Sequence, residues 1–71
     1  MIQPQGNNVK KIREEMLMSK SELARKAGVS VLTIDRIEKR MSCRVSTKRK
    51  IILALGYRLE EKKKVFPDKN V

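Results

Sequence analysis

The chain has 71 residues, enough for one small domain, and its 18 Lys and Arg against 8 Asp and Glu give a net charge of +10. With no His and one Cys it lacks the groups for a Ser-His-Asp site, a multi-ligand zinc site or a disulfide scaffold. No apolar run approaches the roughly 20 residues of a membrane span and no secretory leader opens the chain, so a cytoplasmic, non-enzymatic module is expected, with no membrane, metal, cofactor or small-molecule ligand.

Residues 1–7 hold Pro4 and Gly6 without periodicity and read as a flexible lead-in. Asn7 or Asn8 can cap a first helix whose inner face is Val9, Ile12 and Met16. Its outer face carries Lys10, Lys11, Glu14 and Glu15, which offer ion pairs at helical spacing. Ser19 and Glu22 form a capping box at the start of a second, two-turn helix with Leu23, Ala24 and Ala27 inward. Gly28 ends it, where the chain needs a left-handed residue.

Ser30 caps a third helix with the stripe Ile34, Ile37 and Met41. Ser46 or Thr47 caps a fourth, with Ile51, Ile52 and Leu55 inward and Gly56 at its end. A fifth, over residues 58–65, holds Leu59 and Val65, and Phe66-Pro67 stops it. Residues 67–71 form a polar tail. No strand is needed, so residues 8–66 are predicted to make one all-α, five-helix domain.

Residues 20–39 carry the most information. Two short helices can cross steeply on a three-residue turn only if several conditions hold together. Ala24 supplies the small residue at the contact, and Gly28 the turn. Leu23, Ala27, Val29, Ile34 and Ile37 fill the angle. This is a helix-turn-helix.

The string SKSELARKAGVS at residues 19–30, followed by TIDRIE at 33–38, resembles the Cro/repressor-type helix-turn-helix family, also called XRE-like or lambda repressor-like. The likeness extends over roughly residues 8–66. Two positions depart from the family pattern: Lys20 stands where Gln is common, and Arg40 where Gly is common, so the third helix could run on through Met41. The resemblance implies a sequence-specific, double-stranded DNA-binding transcriptional regulator that acts as a homodimer on a palindromic operator. The alternative is an antitoxin or phage accessory protein of the same fold that works mainly through a protein partner. The resemblance also implies that an Arg on the first helix, here Arg13, pairs with Glu38 near the end of the third.

On this reading the third helix enters the major groove. Val31 and Leu32 lie off the inner stripe; partial core or a protein contact would explain them, but the family places such positions against bases, where they would meet thymine methyls. Arg36 can reach a guanine edge or a phosphate. Asp35 has two readings, a cytosine amino group or an i,i+4 pair with Lys39, itself a base-edge candidate. Ser19, Lys20, Ser30, Thr33, Arg40, Arg44, Lys48 and Arg49 are the phosphate candidates. Lys62, Lys63 and Lys64 read as solvated, and Cys43 as an incidental loop residue. Leu59, Val65 and Phe66, far in sequence from the third helix, are the expected subunit contact, although Phe66 could equally close the monomer core.

Overall fold

A computed structural model describes residues 7–39 and 43–67. All regular structure within them is helical. Helices α1 (Val9–Glu15), α2 (Lys20–Ala27), α3 (Val31–Glu38) and α4 (Val45–Ala54) are followed by a 3-10 turn at Leu59–Glu61 and the single-turn α5 (Lys62–Val65). Of the expected lead-in (1–7) and tail (67–71), residues 1–6 and 68–71 lie outside the described residues, as do residues 40–42, Arg40 and Met41 among them. α3 ends at Glu38 with Lys39 as its cap, so it does not run on through Met41.

The core forms where the apolar stripes of the short helices converge. Val9, Leu23, Ile34, Ile37, Ile51, Leu55 and Val65 are fully enclosed, with Ile12, Met18, Ala24, Ala27, Ile52 and Phe66 around them. α2 packs on α3 and on α4, so the helix-turn-helix is held from behind by the fourth helix. Ala24 is small enough to let α2 and α3 approach, and Gly28 takes the left-handed conformation at φ 72° that redirects the chain. The Ser19 hydroxyl accepts from the Glu22 amide at 3.0 Å, and the Ser30 hydroxyl from the Thr33 amide at 3.1 Å. Both expected caps therefore form, each satisfying an amide left free by the first turn. Glu22 does not return the bond to Ser19 among the observed contacts, so the box closes on one side only.

Five expectations about packing need correction. Met16 is not an inner residue of α1 but is 46% exposed, and Met18 is buried instead. The reason is that α1 ends at Glu15, and the chain then turns through Leu17 at φ 57°, which swings Met18 inward. Lys10, Lys11, Glu14 and Glu15 point to solvent and enter none of the ion pairs among the described residues. α4 begins at Val45 with Arg44 as its cap residue, so Ser46 and Thr47 sit inside the first turn and cap nothing. The fifth helix divides, because Glu61 accepts the Arg58 amide at 2.9 Å and tightens residues 59–61 into a 3-10 turn. That turn leaves Leu59 43% exposed. Val65, expected at a subunit contact, is a core residue of the monomer at 0% exposure, and of the two readings of Phe66 the core one holds, at 4% exposure.

Asparagines close the fold at its ends. Asn7 Nδ2 donates to the Ile37 carbonyl at 2.8 Å, and its Oδ1 accepts from the Val9 amide at 3.1 Å. Asn8 is the cap residue of α1, yet its side chain reaches the Lys64 carbonyl at 2.9 Å instead, while its amide donates to the Val65 carbonyl. The start of α1 thus fastens both α3 and α5.

Leu17 is the one non-glycine residue at positive φ among those described, and it is 92% exposed. A left-handed L-residue costs about 1–2 kcal/mol. Leu17→Gly removes that cost and gives back part of it to the greater freedom of the unfolded chain. The expected net gain is about 0.5–1 kcal/mol, seen as a rise of a few degrees in Tm. An equal or lower Tm would show that the Leu17 side chain holds the turn.

Candidate nucleic-acid interface

α3 has two unlike faces. Ile34 and Ile37 are sealed in the core. Val31 and Leu32, at the first turn, are 43% and 57% exposed, and Arg36 and Lys39 also face solvent. Ser30 sits at the head of this face, with its hydroxyl bonded to the Thr33 amide and within 2.9 Å of the Thr33 hydroxyl. The first turn of α3 carries no acid, so its positive dipole end is not neutralised locally.

The helix is held in place from its far end. Arg13 Nε donates to Glu38 Oε2 at 2.7 Å and Nη2 to Oε1 at 3.1 Å, a two-pronged bond between α1 and the last residue of α3. Arg13 Nη1 also donates to the Met18 carbonyl at 2.9 Å. The side chains of the pair keep only 9% and 5% of their surface exposed. The Glu38 carboxylate raises the Arg13 guanidinium above its ordinary value against the opposing effect of burial, so it stays charged. The expected Arg13–Glu38 pair is present, and it bridges α1, the α1–α2 turn and α3.

Asp35 is also engaged. Lys20 Nζ donates to Oδ1 at 2.8 Å, and Lys39 Nζ lies 3.1 Å from Oδ2. The Lys20 bond and then the Lys39 bond hold the Asp35 carboxyl below the usual carboxylate range, and Asp35 in turn raises the Lys20 ammonium. The i,i+4 pair with Lys39 was legible as one of two readings; the link to Lys20 was not, because it crosses from one helix to the next.

The other expected phosphate contacts lie elsewhere. Arg44 and Arg49 are exposed at the first half of α4. Lys48 is half-buried, with its Nζ 5.6 Å from the centre of the Phe66 ring. Lys48, Arg49 and Lys62 rim an open groove of about 240 Å³ floored by Val45, Ile52, Leu59 and Phe66. Lys62, read from sequence as merely solvated, therefore joins two of the expected phosphate residues. Cys43 is half-buried, which pushes its thiol up against the pull of Lys48 and keeps it protonated.

A helix-turn-helix family model matches residues 9–62, more than half of the chain. The chain belongs to that XRE/lambda repressor-like helix-turn-helix family. The match spans the two capped helices, the Gly28 turn and the fourth helix behind them, and it supports a DNA-binding regulator. No curated protein matches the chain significantly. Among the described residues no helix is long and apolar enough to cross a membrane, and no cluster of His, Cys, Asp and Glu could hold a metal ion.

Proposed function

We propose that the protein is a sequence-specific transcriptional regulator of double-stranded DNA that lays α3 in the major groove. The observation that carries this reading is a family helix whose inner face is sealed by Ile34 and Ile37 while its outer face offers Val31, Leu32, Arg36 and Lys39. Apolar side chains at its first turn suit thymine methyls, and Arg36 suits a guanine edge. Ser19, Ser30 and Thr33 at the helix starts, with Arg44, Lys48 and Arg49 on α4, suit the flanking phosphates. The net charge of +10 strengthens such contacts and makes them salt-dependent.

One copy reads only a few base pairs, so the protein acts as a homodimer on a palindromic operator, with its two reading helices about 34 Å apart. Of the three apolar residues expected between subunits only Leu59 remains at the surface. Its neighbours on the groove rim are Lys48, Arg49 and Lys62, which repel a second copy. The dimer accordingly forms on DNA rather than in free solution.

Selection of bound sequences from a random duplex pool, followed by footprinting, tests the proposal. A two-fold symmetric site holding two copies is expected. Lys48→Gln should lower the slope of log affinity against log salt by about one unit or less and leave the selected sequence unchanged. Recovery of no preferred sequence would overturn the reading. It would favour instead sequence-blind binding through charge, whereas a co-purifying protein would favour a role through that partner, for which the apolar groove with its cationic rim is the supporting observation.

A further inference from the structure

The charges on the outer face of α3 do not act one by one. Asp35 sits between two lysines, and each of its carboxylate oxygens takes a different one: Lys20 from the first turn of α2, and Lys39 at the end of α3. The three side chains retain 40%, 30% and 69% of their surface for Lys20, Asp35 and Lys39, so the cluster faces the solvent where a phosphate would approach. It is also the only link between side-chain charges of α2 and α3 among the described residues.

A lysine is a compact charge on a flexible four-carbon stem. Left free, it meets a phosphate in almost any register of the duplex, and contacts of that kind supply sequence-independent binding. Two such stems here are held by one carboxylate. We propose that Asp35 is a specificity-determining residue that acts through Lys20 and Lys39, restraining both so that they do not strengthen binding to unrelated DNA. Asp35 is a positioning residue in this scheme and touches no base. The proposal rests on the DNA-reading role of α3.

On the operator the rest of the reading face already sets the register, so releasing the two lysines adds little. On unrelated DNA nothing else sets the register, and the released stems add contacts. Asp35→Asn keeps the shape and removes the charge. Its effect must exceed that of an equal charge change elsewhere, for which Glu60→Gln serves, since Glu60 is exposed and pairs only with Arg58 among the described residues.

The first measurement needs no DNA. Carbon-13 NMR of the Asp35 carboxyl is expected to show titration below the ordinary carboxylate range, moving up in both Lys20→Gln and Lys39→Gln. An ordinary titration in the parent overturns the restraint even if the protein reads DNA well. The second measurement compares a duplex carrying the selected site with one of scrambled sequence, over a series of salt concentrations. Asp35→Asn is expected to bind the scrambled duplex about three- to tenfold more tightly with a salt slope steeper by about one unit, and the selected site less than about twofold more tightly. Equal tightening on both duplexes, or a gain no larger than that of Glu60→Gln, overturns the proposal. Weaker binding to the selected site alone overturns it too, and marks Asp35 as a reader of a base. A parent that binds neither duplex removes the DNA-reading role on which the proposal stands, whatever the NMR titration shows.

Discussion

Glu38→Gln is expected to lower the stability of the protein by about 3 kcal/mol. The mutation leaves the Arg13 guanidinium nine-tenths enclosed without its counter-charge. Removing one member of a buried ion pair costs about 3–5 kcal/mol. The low end applies because the Gln carbonyl can still accept one of the two bonds from Arg13, at Nε or Nη2. A domain of this size has a total stability of only about 4–10 kcal/mol. The expected result is therefore a fall in Tm of about 10–20 °C. Because the pair anchors the last residue of α3, DNA binding should fall as well, even at temperatures where the variant remains folded. A thermal melt at the parent's temperature would show that the pair carries no structural weight.

Arg36→Ala is expected to cost about 1–3 kcal/mol of affinity for the selected site, a factor of about 5–150. Arg36 is exposed on the outer face of α3 and enters none of the ion pairs among the described residues, so its planar donors are available to a guanine edge. Stability should hardly change, since the side chain buries little. The effect should concentrate at one position of each half-site, measured by repeating the selection with the variant. A uniform loss on selected and scrambled duplexes alike, with the salt slope reduced by about one unit, would instead place Arg36 on a phosphate.

Much of this fold is readable before any coordinates, for reasons that differ from element to element. α2 and α3 are bounded by chemistry local in sequence: Ser19, Gly28 and Ser30 each act within four residues of themselves, and each does so as expected. The Arg13–Glu38 pair spans 25 residues, and only likeness to a known family made it visible. Met16 and Met18 have the same side chain. Periodicity favoured the first because it could not register the early end of α1 or the left-handed turn at Leu17. Val65 and Phe66 illustrate a different limit. An apolar residue near a terminus suits a core or an interface equally well, and in a chain of 71 residues the core has first claim.

The candidate interface divides along the same line. Composition along α3 separates Ile34 and Ile37 from Val31, Leu32 and Arg36 through helical spacing alone. The partnership of Lys20 with Asp35 and the gathering of Lys48, Arg49 and Lys62 around one groove depend on how helices sit against each other. Periodicity within a single helix holds no trace of that arrangement.

The bond from the Asn8 amide to the Val65 carbonyl, 2.8 Å long, brings the two ends of the folded segment together. Two copies can therefore be joined head to tail through a linker that leaves one subunit and enters the next at equivalent points. If the joined ends of two copies lie about 34 Å apart, one turn of DNA, a taut linker would need roughly ten residues. A relaxed Gly/Ser linker would need about 40 to cover the same span at its natural extension. Such a single-chain dimer would replace a bimolecular step by a tethered one. Its affinity for a two-fold operator would then depend on linker length, with an optimum where the relaxed span matches the distance between subunits.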